Sequence, residues 1–249
     1  MSRLVQLVAD YGPGDLAYSE LVQRLALTVP DAVVHHTRVA SGDTVAAGFC
    51  VAQLALTDGP PDRVVAHDVG ARSGERLCGG RTRDGAWIVG QNAGWSWSFV
   101  IDELPSLCHL DVSDGLVLAI THVTRRHPHA ITDPVPRDAV PPVPERTVAY
   151  VDAAGNVMTT IAEAPVAAGV RIQVRIGQVS ARAVVRASRA VPDGELALAT
   201  AVSWPRRRGG NRSFVELVLG GGSAAERFAL PAPGAPVRLG RSARAHREL

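Results

Sequence analysis

Leu4-Val5-Gln6-Leu7-Val8-Ala9-Asp10-Tyr11-Gly12-Pro13-Gly14-Asp15 reads as a buried strand that runs into a tight turn. The apolar run ends on a carboxylate, so Asp10 falls at the carboxyl edge of a sheet, where open α/β sheets bind ligands. Glycine lets the turn adopt angles that other residues resist. Asp15 is placed to cap the helix that follows.

Working outward, Leu16, Leu21, Val22 and Leu25 recur at helical spacing, and Pro30 closes that segment. Ala32-Val33-Val34-His35 reads as a second strand. Asp43 is placed to cap a helix that carries Val45, Phe49, Ala52 and Leu56 on one face. Strands follow at Arg63-Val64-Val65-Ala66 and Ala86-Trp87-Ile88-Val89. Strand–helix–strand alternation predicts a layered α/β domain over residues 1–132 with a largely parallel sheet.

From Asp133 to Pro144 there are five prolines in twelve residues, a linker composition that sets a boundary at 133–146. Beyond it the period changes to two, as in Val170-Arg171-Ile172-Gln173-Val174-Arg175-Ile176. Short β-rich runs at 147–151, 157–161, 182–186, 195–200 and 213–219 predict an antiparallel barrel or sandwich over 147–249. The arginine-rich end, Arg238 to Leu249, reads as a mobile tail.

Bulk properties narrow the function classes. A hydrophobic content of 46% with 20% charge is that of a globular chain. The formal charge of +2 argues against a dedicated nucleic-acid partner, and all 26 Lys/Arg positions are arginine, which we read as coding bias. Cys50, Cys78 and Cys108 are odd in number and form no CxxC pair, against both a disulfide framework and a zinc site. The histidines His35, His36, His122, His127 and His129 show no metal-ligand spacing, so no metal is expected. No apolar stretch reaches membrane-spanning length and the first ten residues lack a signal core, so no membrane partner and a cytoplasmic location are expected.

Two further stretches carry chemistry. One is Tyr150-Val151-Asp152-Ala153-Ala154-Gly155-Asn156-Val157-Met158-Thr159-Thr160-Ile161. The other is Asn211-Arg212-Ser213-Phe214-Val215-Glu216-Leu217, followed by Gly222-Ser223-Ala224-Ala225. With Asp10-Tyr11-Gly12 and Asp15, they resemble the S-adenosyl-L-methionine (SAM) hydroxide adenosyltransferases, the family of the SAM-dependent chlorinase and fluorinase. Its members open with a TDFGxxD turn and carry VDxxGNxxTNI and NSxGxLEIAxxxGxAA in the second domain. The resemblance implies a Rossmann-like three-layer α/β domain followed by an all-β barrel. It also implies a homotrimer with SAM bound between subunits, as substrate rather than cofactor.

In such a reaction water or halide attacks the ribose C5′ and expels methionine. The sulfonium leaves as a neutral thioether, so no general acid is needed. What remains is in-line positioning and orientation of the nucleophile.

By this resemblance Asp10 accepts the ribose hydroxyls, the alternative being a solvated turn aspartate. Asp152 grips the methionine ammonium with Asn156 beside it, the alternative being ordinary turn chemistry. Asn211 and Arg212 meet the methionine carboxylate, and backbone at Ala224 meets the adenine. The water-orienting VDPGVGxxRR stretch becomes Ala66-His67-Asp68-Val69-Gly70-Ala71-Arg72-Ser73-Gly74-Glu75-Arg76. Asp68 is kept, and Arg76, then Arg72, are the arginine candidates. The TFHGRD stretch falls on His109-Leu110-Asp111-Val112-Ser113-Asp114. The expected histidine lands on Asp111, and His109 lies two residues away, on the same face if this segment is a strand.

Trp95 and Trp97 offer an aromatic wall for a sulfonium, or core packing. Gly220-Gly221-Gly222-Ser223 lacks the lysine of a phosphate loop. The leading expectation is SAM hydrolysis to adenosine and methionine by Asp68, Arg76 and Asp111 or His109. The competing expectation is a non-catalytic or repurposed SAM or adenosine binder that kept Asp10, Asp152, Asn211 and Arg212. A third is a trimeric protein with no nucleoside ligand.

Overall fold

The computed structural model describes residues 3–70, 75–112, 115–125, 131–200 and 214–241. The chain divides into two compact units between Val143 and Pro144.

The first unit runs β1 (Arg3–Ala9), α1 (Leu16–Thr28), β2 (Ala32–Arg38), α2 (Thr44–Leu56), β3 (Val64–Asp68), β4 (Leu77–Arg81), β5 (Trp87–Gln91), β6 (Leu107–Leu110), α3 (Gly115–Arg125) and β7 (Ile131–Pro134). Its seven strands form one sheet in the order β2-β1-β3-β5-β4-β6-β7. The first four are parallel; β4 runs antiparallel to both its neighbours, and β7 antiparallel to β6. The expected parallel sheet is therefore half of the observed one.

The strand β4 escapes sequence reading because Leu77-Cys78-Gly79-Gly80-Arg81 does not alternate. Its glycines have a packing cause. A Cβ at Gly79 would sit 3.1 Å from the Leu110 side chain, and one at Gly80 would sit 2.7 Å from Leu104. The helix α3 is likewise unforeseen: Val117, Ile120, Thr121, Val123 and Thr124 are β-branched, and packing overrides their weak helix preference.

The pleat sorts the residues. Val5, Leu7, Ala9, Val64, Ala66 and Val89 pack with Leu21, Leu25, Val117, Ile120 and Val123 of α1 and α3. The helix α2, with nine of its thirteen residues buried, contacts β1, β3 and β5. Asp43 caps α2, accepting the Ala46 N–H at 2.9 Å. Asp15 does not cap α1 with its side chain; its carboxylate turns back to accept the Gly12 N–H at 2.6 Å and closes the turn.

The proline-rich stretch is not a free linker from 133 onward. Pro134 pairs with Cys108 at the end of β7, the Val135 N–H donates to Leu107 O at 2.8 Å, and Arg137–Ala139 form a 3₁₀ turn.

The second unit contains β8 (Val148–Val151), β9 (Val157–Thr159), β10 (Arg171–Ile176), β11 (Val179–Arg186), β12 (Leu196–Thr200), β13 (Val215–Leu219), the single-turn α4 (Ala224–Arg227) and β14 (Val237–Arg241). Its sheet order is β14-β10-β11-β12-β13-β9-β8. All neighbours are antiparallel except the parallel pair β11–β12. The sheet curls until its ends meet: Thr147 bridges Pro236, and the Val148 N–H donates to Ala235 O at 2.9 Å. Inside lie Ile172, Val174, Ile176, Leu198, Leu217 and Val237.

Residues 238–241, read from sequence as the start of a tail, belong to β14; residues 242–249 lie outside the described residues. Among the described residues no helix is long and apolar enough to cross a membrane.

Candidate functional site

The register of β1 on β3 pairs Ala9 with Asp68. Asp10, the next residue, and Asp68 therefore stand on neighbouring strands at one sheet edge. Asp10 Oδ2 accepts the Gly42 N–H at 3.0 Å and the Ser41 hydroxyl at 3.4 Å, tying the turn before α2 to this edge. The Tyr11 hydroxyl donates to Asp68 Oδ2 at 2.7 Å. Burial, then the Asp68 and Asp10 charges, push the Tyr11 phenol far above its ordinary range, so it stays a protonated donor. Gly12 allows the turn to lie against β2, where any Cβ would be 2.5 Å from His36 Cε1.

The other expected catalytic residues are not gathered with this pair. Arg76 Nη2 donates to Thr132 Oγ1 at 2.6 Å and its Nη1 lies 3.3 Å from Asp133 Oδ2, an exposed pair at the β7 end of the sheet. Asp111 follows the last residue of β6. Two strands, β5 and β4, separate β6 from β3, which puts Asp111 about 14 Å along the sheet from Asp68 at ordinary strand spacing. His109 sits opposite Cys78, with Nδ1 3.6 Å from Sγ. Burial pushes the Cys78 thiol up to about 11, which leaves it an inert core group. Arg72 lies outside the described residues.

Trp97 is core: it is fully buried and its Nε1 donates to Gln91 O at 3.0 Å. Trp95 is 38% exposed. Trp97 meets the ring of His67 edge-on at 5.3 Å, and both nitrogens of this buried histidine lack a partner among the described residues. Burial drops His67 to about 4, so it is neutral when folded at pH 7.

Unfolding frees His67 to bind a proton near its ordinary 6.5. Stability linked to it is intact above that pH, falls as pH drops from 6.5 toward 4, and loses nothing more below. We expect a loss of about 2 to 3 kcal/mol from this group. Urea unfolding at pH 7 and pH 4 measures it, with His67→Leu as reference. An equal pH dependence in both proteins rejects the assignment.

In the second unit the turn between β8 and β9 holds Asp152. Its Oδ1 accepts the N–H groups of Ala154 (3.0 Å) and Asn156 (2.9 Å), and its Oδ2 accepts Asn156 Nδ2 at 2.9 Å. Gly155 has φ +78 and presses on Ser223, whose Oγ would be 2.1 Å from an added Cβ. The Ala225 N–H donates to Gly155 O at 2.8 Å. The fold thus joins the Asp152–Asn156 turn to the Ser223–Ala225 segment, two of the sequence landmarks. Ala224 is fully buried, side chain and backbone alike. Asn211 and Arg212 lie outside the described residues.

Sequence reasoning missed the pair beside this turn. Glu216 on β13 is fully buried, and Arg189 donates to both its carboxylate oxygens through Nε and Nη2. The signal was available: a lone charge inside Val215-Glu216-Leu217-Val218-Leu219 demands a buried partner.

At the opposite edge of the first sheet, where β1 and β5 begin, a cleft of about 400 Å³ is lined by Arg3, Asp62, Trp87, Val123, Thr124 and Arg125. It contains none of the expected site residues. Among the described residues no three His, Cys, Asp or Glu side chains are grouped to hold a metal ion.

Two solved structures resemble this chain over nearly its whole length. An uncharacterized conserved protein from Thermotoga maritima is 18% identical, with a TM-score of 0.76 over 95% of this chain and 100% of that one. A conserved hypothetical protein from Thermus thermophilus is 23% identical, with a TM-score of 0.70 over 95% and 99%. The likeness is one of fold. No protein-family model matches the chain, and no curated protein matches it in sequence.

Proposed function

We propose that the chain hydrolyses SAM to adenosine and methionine, with water attacking the ribose C5′. The observation that carries the reading is the placement of Asp10 and Asp68 on neighbouring strand ends, joined through Tyr11 beside a glycine-rich turn. In this reading the first unit is a Rossmann-like domain, the second a barrel, and the protein a cytoplasmic homotrimer that takes SAM as substrate. Asp10 accepts the ribose hydroxyls. Asp68 orients the water and takes its proton as the new C5′–O bond forms and the C5′–S bond breaks. The sulfonium leaves as the neutral thioether of methionine. Asp152 and Asn156 serve the methionine end.

A second reading has a specific observation in its favour. Arg76 is engaged by Asp133 and Thr132, and Asp111 is three strand positions from Asp68. Only one of the expected water-orienting groups therefore stands with Asp10. A SAM or adenosine binder without turnover needs no more than that.

Incubating the purified protein with SAM and following adenosine and methionine by chromatography separates the two. We expect equimolar products, and a fall of about 100-fold or more in Asp68→Asn. Binding by calorimetry without product establishes the binder. An Asp68→Asn variant as active as the wild type removes Asp68 from the mechanism.

A further inference from the structure

Asp68 is held by one side chain that takes no part in the chemistry described above. Tyr11 follows Asp10 in the turn after β1, and its hydroxyl reaches across to the end of β3 to donate to Asp68 Oδ2 at 2.7 Å. The two residues are 57 apart in sequence, so the bond exists only because β1 and β3 are neighbours. Tyr11 is half-buried, and its ring is placed by a turn that Asp15 closes onto Gly12. The bond therefore has a fixed donor and a fixed direction. The charged or titratable groups around it are Asp10 on the same turn, His36 behind Gly12, and His67 preceding Asp68 on β3.

We propose that Tyr11 is a positioning residue for Asp68. With Oδ2 occupied by the phenol, the carboxylate cannot rotate freely, and Oδ1 becomes the oxygen that meets the attacking water. The donor itself does not lose its proton: burial and two nearby carboxylates keep the phenol protonated. The inference rests on the hydrolase reading for its consequence, and on the hydrogen bond alone for its structural part.

The two parts are tested separately. Ultraviolet difference titration of wild type against Tyr11→Phe isolates the Tyr11 phenol. It stays protonated through the ordinary tyrosine range in the wild type, and ionises at lower pH in Asp68→Asn than in the wild type. In the SAM assay Tyr11→Phe lowers kcat about tenfold while KM stays within about twofold. In an Asp68→Asn background the same change has no further effect, since the two act as one unit.

An unchanged kcat in Tyr11→Phe, or an additive loss in the double variant, overturns the positioning role. A Tyr11 phenol indifferent to Asp68 overturns the structural part. A wild type that releases no adenosine, with Tyr11 ionisation still tied to Asp68, rejects the hydrolase reading and leaves the hold on Asp68 standing.

Discussion

Replacing Arg63 with methionine lowers the unfolding free energy by about 4 kcal/mol, the scale of several charge-assisted hydrogen bonds lost from a buried site. Arg63 is 4% exposed. Its guanidinium donates to two carbonyls in the last turn of α2, Leu54 (3.2 Å) and Ala55 (2.7 Å), and to two just beyond it, Thr57 (2.6 Å) and Pro60 (2.9 Å). The last turn of a helix leaves carbonyls with no partner of their own, at the negative end of its dipole. Here one planar cation satisfies them together. Methionine matches the stem and removes every donor.

Lysine keeps the charge but not the fork, so Arg63→Lys should fall between methionine and wild type. Urea unfolding at pH 7 reads all three. A methionine variant within about 1 kcal/mol of wild type would mean that water replaces these bonds without cost.

Replacing Arg189 with methionine costs about 3 kcal/mol, the lower end expected when one partner of a buried ion pair is removed. Glu216 has no exposure, whereas the Arg189 side chain is 34% exposed. Most of the penalty is therefore Glu216 left in an apolar strand. The prediction has an internal control. Arg189→Met combined with Glu216→Leu restores most of the loss, because an apolar pair of similar volume needs no partner. A double variant no more stable than Arg189→Met alone would place the effect in packing around Arg189 instead. The Asp152 carboxylate adds to Glu216 in holding Arg189 charged.

The legible parts of the fold are those with a local cause. Apolar runs ending in turn residues marked β1, β3 and β5, and period two marked β10. Asp43 capped α2 as a short polar residue ahead of an apolar helix should. The illegible parts were set at a distance. The glycines of β4 make room for Leu104 and Leu110. The strand β14 was hidden by its arginines, although Val237 and Leu239 alternate toward the core of the second unit.

The candidate site divides in the same way. The chain by itself determined that Asp10 stands at a strand end, from hydropathy and turn chemistry, while the resemblance alone singled out Asp68 and Asp111, which the structure places at the ends of β3 and β6. The chain also determined that Asp152 and Asn156 share a turn. Only the tertiary structure decided which of these ends are neighbours. The order β2-β1-β3-β5-β4-β6-β7 places β3 beside β1 and keeps β6 three positions away. Asp68 thus meets Tyr11 and Asp10, while Asp111 does not. Arg76 went to Asp133 for the same reason, because β7 closes the sheet on that side. Strand ends are a local property of sequence, but their lateral spacing is set by non-local pairing, which no short stretch of chain encodes.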